Sequence, residues 1–159
     1  MGVGKELPVM LDREWEKIRH FKPTEAWGDT KIIDFHLVRL LDEFRDFVDQ
    51  PMIVAYGTQG KHVAKWHSLG VAVDIVIEAA YKGQLNLVLD ALRYPFSGIG
   101  VYPFARYAKF EHPVGFHFDV RPLLGWASAR WIGIPKGNTI EQFQLDELTL
   151  RRFNIIAAS

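Results

Sequence analysis

Hydrophobic positions along the chain follow two periodicities. Ile33, Leu37, Leu40, Leu41, Phe44 and Val48 recur at helical spacing, with Asp34, Arg39, Asp42, Glu43, Arg45 and Asp46 between them. This predicts an amphipathic helix that Asp29 or Thr30 can cap and that Pro51 stops. Gln84 to Leu92 repeats the pattern more briefly, with Leu85, Val88, Leu89 and Leu92 on one face. Elsewhere the chain reads as strands. Met52–Tyr56 is a short apolar run, and Val71–Ile77 is β-branched and apolar except at Ala72 and Asp74. Residues 98–103, 115–121 and 129–134 predict three more strands, and 139–153 predicts a C-terminal helix. Helices interrupt the strands irregularly, which points to an α+β fold with a small antiparallel or mixed sheet flanked by helices. The 159 residues suit one domain, with a helical segment over 1–50 and a C-terminal extension over 132–159.

Composition narrows the chemistry. With no Cys, the chain has no disulfide, no thiol nucleophile and no Cys-ligated metal, so any metal must sit on His, Asp or Glu. Lys plus Arg and Asp plus Glu both number 19, which gives no electrostatic reason to expect nucleic acid or an anionic membrane as partner. No stretch reaches the ~20 apolar residues of a membrane span. The opening residues carry no signal-peptide core, and Glu6 stands where a myristoylation signal needs Ser or Thr, so a cytoplasmic origin is expected. Residues 51–139 hold nine basic side chains and only five acids, Asp74, Glu78, Asp90, Glu111 and Asp119. Each of those carboxylates therefore invites a reason.

Asp74 lies among Val71, Ala72, Val73, Ile75, Val76 and Ile77. Burying a carboxylate there is costly unless a Lys, an Arg or a metal compensates it. An ordinary buried ion pair is the plain alternative. In Gly115-Phe-His-Phe-Asp-Val-Arg121, strand alternation puts Phe116, Phe118 and Val120 on one face and His117, Asp119 and Arg121 on the other. The plain alternative here is a polar face that meets water. Two imidazoles and one carboxylate form the donor set of an open catalytic zinc site. His20 and His36 read as structural, and His62 and His112 as loop residues near the site. Trp66, Trp126 and Trp131 can line a cleft or pack. Gly98-x-Gly100 precedes no clear helix and does not support a dinucleotide fold.

The stretch His67-Ser-Leu-Gly-Val-Ala-Val-Asp74-Ile resembles the H-x-x-G-x-A-x-D-[IL] signature of the M15 zinc peptidases. These are D-alanyl-D-alanine carboxypeptidases, D,D-dipeptidases and L-alanyl-D-glutamate endolysins, with hedgehog domains as relatives. Gly98-Ile-Gly-Val-Tyr-Pro103, then Gly115-Phe-His117-Phe-Asp119-Val-Arg121 and Ala129-Arg-Trp131, are similar to the rest of that pattern, so the resemblance spans about Met52 to Trp131. It implies a hedgehog/D,D-peptidase-like fold, zinc on His67, Asp74 and His117, and hydrolysis of peptidoglycan stem peptides. The endolysin branch adds a phage or prophage setting. Glu111 or Asp119 is the general base: Glu111 has the spacing of a functional Glu in the hedgehog branch, and Asp119 fits the H-x-D of the carboxypeptidase-like branch. Asp119 can instead orient His117. Lys61, Lys65 or Arg121 would replace the family's substrate-carboxylate Arg, a Lys only as a point charge. The longer link 104–114, with Arg106, Lys109, Glu111 and His112, reads as a loop over the site.

Two other functions are compatible with these residues. Val114 stands where many relatives place their base, which would suit a zinc-containing binding module without catalysis. His117-x-Asp119 also begins a 2-His-1-carboxylate iron triad, but no His follows it to complete one.

Overall fold

The helix over 33–48 begins later than its periodicity suggests because Asp34 is the residue that can cap it. Asp34 is extended, and its carboxylate accepts the Leu37 N–H at 2.9 Å. Asp29 serves a turn instead, accepting from the Lys31 N–H at 3.0 Å. The helix also ends ahead of Pro51, at Asp49, whose φ of 51° is left-handed. The computed structural model describes residues 8–58, 65–80, 83–121 and 128–156, and for Lys65 the backbone alone. In chain order the elements are α1 (Asp12–Trp15), α2 (Phe35–Val48), β1 (Met52–Tyr56), α3 (Lys65–Ser68), β2 (Ala72–Glu78), α4 (Gln84–Leu92) and β3 (Gly98–Tyr102). There follow β4 (Pro113–Asp119), β5 (Ala129–Lys136), β6 (Thr139–Gln144) and α5 (Glu147–Arg152).

The C-terminal helix expected over 139–153 is instead a strand followed by a short helix. Lys136 pairs with Thr139 across the two-residue loop Gly137-Asn138, and Gly137 takes a φ of 60°. Two such residues between apolar runs make a hairpin. Asp146 and Thr149 then form a reciprocal capping box that starts α5 only after β6 has ended.

The six strands form one mixed sheet in the order β1-β2-β4-β3-β5-β6, antiparallel except where β3 runs parallel to β5. The fold is α+β. The sheet's two faces do different work. On one, Val73, Ile75 and Ile77 of β2, Val114, Phe116 and Phe118 of β4, and Ile99 and Val101 of β3 are buried in the main core. Phe44 of α2 meets Phe118 edge-on at 5.4 Å, so the apolar stripe of α2 covers this face. The other face carries Asp74, His117, Asp119, Gly98, Gly100 and Tyr102, because side chains alternate along each strand. In register, Asp74 lies opposite His117, and His117 opposite Gly100.

Glu78 fastens the far end of β2. Its carboxylate accepts the N–H groups of Glu111 at 2.6 Å, His112 at 2.9 Å and Ala80 at 3.0 Å. Burial acts to raise its pKa, but these three donors outweigh it and hold the carboxyl below its ordinary value. A depressed folded-state pKa gives stability above the unfolded value and loses it as pH falls. Glu78→Gln should therefore be less stable than wild type at pH 7, with the gap narrowing below about pH 4.5 in denaturant titrations. Asp34→Ala should cost about 1 kcal/mol at neutral pH, read from the denaturation midpoint.

Candidate metal centre

Three short elements converge on one point of the polar face. His67 sits in the single turn α3, which Gly70 ends with a left-handed φ of 77°. A side chain at Gly70 would overlap the Ile32 backbone. Gly70 also accepts the Asp34 N–H at 2.8 Å, which ties the His67 turn to the start of α2. Gly57, just after β1, lies so close to the backbone of Trp27 that only glycine fits, and its carbonyl lies 3.0 Å from His67 Nδ1. Asp74 comes from β2 and His117 from its partner on β4. His67 is 0% exposed, His117 5% and Asp119 0%, while the Asp74 side chain keeps 29%.

The hydrogen-bond partners select which atoms face inward. The Gly57 carbonyl can only accept, so His67 Nδ1 carries the proton and Nε2 presents a lone pair in the neutral ring. His117 Nε2 lies 2.7 Å from Asp119 Oδ2, which places the proton there and the lone pair on Nδ1. Both lone pairs converge on Asp74 Oδ1, from His67 Nε2 at 3.4 Å and from His117 Nδ1 at 3.2 Å. The His117 contact is also within hydrogen-bond distance, so a proton on Nδ1 would bridge it to Asp74. Atoms bound tetrahedrally at about 2.0–2.1 Å from one ion lie about 3.3–3.4 Å apart, close to both separations. The three donor atoms lie within 4.8 Å of one another, and the group could hold a metal ion.

Electrostatics point the same way. Burial acts to raise the pKa of Asp74, but the His117 and His67 imidazoles outweigh it and hold the carboxyl well below the usual range. Burial acts to lower the pKa of His117, yet hydrogen bonds to Asp119 and Asp74 raise it above its ordinary value. The cluster favours a positive charge between its carboxylates, which a proton or a metal ion can supply.

Asp119 orients this arrangement. Its Oδ2 takes the His117 ring, and Arg121 binds it through Nε at 2.9 Å, Nη2 at 2.6 Å and the backbone N–H at 3.1 Å. Burial pushes its pKa up, but His117 and Arg121 overcome that and bring it to about 2. The guanidinium lies over the rings of Trp66 at 5.0 Å and Trp131 at 5.6 Å. A side chain at Gly98 would occupy the space of the Asp119 carboxylate, and one at Gly100 would meet the Trp131 indole. The glycine pair that reads as a weak motif in the sequence is the floor under these two groups.

The structure thus brings together His67, Asp74, His117, Asp119 and Arg121. Asp119 bonds the outer nitrogen of His117, so the two are not neighbouring ligands of an iron triad. Glu111 is not brought to the cluster: it is exposed and held by its N–H on Glu78, beyond the end of β4 opposite His117. The span from Pro113 to His117 alone is about 13 Å at ~3.3 Å per residue. His20 pairs with Asp46 at 3.0 Å, away from the site. Lys61, His62, Trp126 and the Lys65 side chain lie outside the described residues. A cavity of about 960 Å³ opens over Asp74 and His117, lined also by Trp66, Tyr102, Arg121, Trp131 and Gln142. Ala105 is the contribution of the 104–112 loop to that lining. Among the described residues, no helix is long and apolar enough to cross a membrane.

Titration with zinc should raise the melting temperature of the wild type, by the equivalent of about 2.7 kcal/mol at 100 times Kd, and leave His67→Ala and Asp74→Ala unmoved. Asp119→Asn should weaken metal affinity about 10–100-fold in chelator competition, and Gly98→Ala should act in the same direction. The chain matches no family model, no curated protein and no solved structure.

Proposed function

We propose that the protein is a zinc-dependent peptidase acting on peptidoglycan stem peptides, of the D,D-carboxypeptidase or L-alanyl-D-glutamate endopeptidase type. The observation that carries this reading is the convergence of His67 Nε2, Asp74 Oδ1 and His117 Nδ1 beneath an open cavity. Two imidazoles and a carboxylate leave room for a further ligand, as in hydrolytic zinc sites. The order of the motifs, similar to that of the M15 peptidases, supplies the substrate class. Zinc on these three residues would provide a bound water of pKa near ~7 and a Lewis acid for a peptide carbonyl.

The chain's own residues do the rest. Gly57 and Asp119 lock the two rings in the orientation that presents their inner nitrogens. Trp66 and Trp131 give the cavity aromatic walls on which a peptide can lie. Arg121 spends Nε and Nη2 on Asp119, so only its remaining edge can meet a substrate carboxylate. Asp119, tied through both oxygens to His117 and Arg121, serves as the orienting group.

One observation favours the binding module as a second reading. Among the described residues, Asp74 is the only carboxylate lining the cavity. The two readings part in one assay: zinc-loaded protein is incubated with purified peptidoglycan and with D-Ala-D-Ala and L-Ala-D-Glu peptides, and new termini are followed by mass spectrometry. The peptidase reading expects cleavage by the wild type, none by His117→Ala, and about 10–100-fold less by Asp119→Asn. Uptake of zinc and retention of stem peptides without any released product would establish the binding module instead.

A further inference from the structure

Tyr102 closes β3 on the polar face, at the tyrosine of Gly98-Ile-Gly-Val-Tyr-Pro103. Its hydroxyl oxygen accepts the Trp131 indole N–H at 2.9 Å. An indole nitrogen donates and never accepts, so the phenolic proton must point elsewhere. No hydrogen bond takes that proton among the described residues. The pair is held in place from below. The Tyr102 ring occupies the space a side chain at Gly133 would need, and the Trp131 indole covers Gly100, the register partner of His117. The Trp131 ring lies 5.1 Å from the His117 ring. The same indole therefore fixes the phenol and leans on a metal-binding imidazole, and Tyr102, Trp131, His117 and Asp74 line one cavity.

We propose that Tyr102 is a catalytic residue of this site: its hydroxyl, oriented by Trp131, donates a hydrogen bond to the oxygen of a substrate carbonyl seated over His67, Asp74 and His117. The inference rests on the peptidase reading and adds the group that stabilises negative charge on that oxygen. No proton is transferred; the hydrogen bond strengthens as the carbonyl oxygen gains charge. A fixed donor aimed at a developing oxyanion contributes about 10²–10³ in kcat. Burial and the Asp74 charge both raise the phenol's pKa, against the Trp131 hydrogen bond, so the donor keeps its proton across the neutral range.

The test uses the zinc-loaded full chain with Tyr102→Phe, which keeps the ring, and Trp131→Phe, which removes the orienting N–H. The probes are the peptides above and their phosphinate isosteres, whose tetrahedral oxygens stand in for the developing oxyanion. Tyr102→Phe should lose about 100-fold or more in kcat with KM within about threefold and zinc stoichiometry unchanged. Its affinity for the phosphinate should fall by a comparable factor, while affinity for the product peptides stays the same. Trp131→Phe should fall between wild type and Tyr102→Phe. A kcat for Tyr102→Phe within about twofold of wild type overturns the assignment. Loss of zinc from that variant does so as well, since the role would then be structural. If the wild type neither cleaves the peptides nor binds the phosphinates, the peptidase reading fails and this inference fails with it.

Discussion

Three ligand-type atoms that converge on one buried point need a positive charge among them. His67 Nε2, His117 Nδ1 and Asp74 Oδ1 are brought to this state by hydrogen bonds on their outer sides, from the Gly57 carbonyl and the Asp119 carboxylate. A proton or a metal ion between them would compensate the cluster, and the neighbouring groups continue the same chain of paired charges. Arg121 balances Asp119, Asp119 fixes His117, and Trp66 and Trp131 shield the guanidinium from water. Removing one member of such a buried chain leaves a charge without its partner, which typically costs more than the pair contributes.

The sheet meets this need through a division of its faces. Alternation along β2, β3 and β4 gives the core its Val, Ile and Phe side chains and gives the other face the ionisable ones. Glycine makes the polar face deep enough to hold them. Gly98 leaves space for the Asp119 carboxylate, Gly100 for the Trp131 indole and Gly133 for the Tyr102 ring. Larger residues there would collide with those side chains. The main core and the candidate metal ligands thus lie on opposite sides of the same strands, and α2 touches both. Its apolar stripe packs on the core face, while the Asp34 N–H at its start holds the Gly70 carbonyl behind His67.

Carboxylate scarcity acquires a structural meaning. Of the five acids between residues 51 and 139, Asp74 faces the converging nitrogens, Asp119 orients one of the rings, and Glu78 clamps the strand end with three backbone donors. Glu111 contributes its N–H to that clamp, so its spacing from His117 reflects the join between a loop and a strand. An acid held by two or three donors is a poor proton acceptor, which separates the orienting carboxylate from any general base.

Much of this was legible in the sequence, because strand and helix periods are local. The boundaries of β1 and α4, the alternation that puts His117 and Asp119 on one face, and the anomaly of Asp74 in an apolar strand all follow from neighbours within a few residues. The same local signals were present in Gly137-Asn138, whose hairpin turns the expected helix into β6, and in Asp34, the true cap of α2. What residue spacing could not decide is which distant groups share a point in space. Glu111 and Asp119 flank His117 in the chain, yet one lies beyond the far end of β4 and the other bonds the ring, because a strand carries residues apart at about 3.3 Å each. The reason for Gly98 and Gly100 was hidden for the same cause: each is needed only because a side chain from another strand lies over it. The sequence by itself determined the α+β pattern and the residue types able to hold a metal. Tertiary structure decided which atoms face inward, since a ring nitrogen's lone pair is set by the partner that packing brings to its other side.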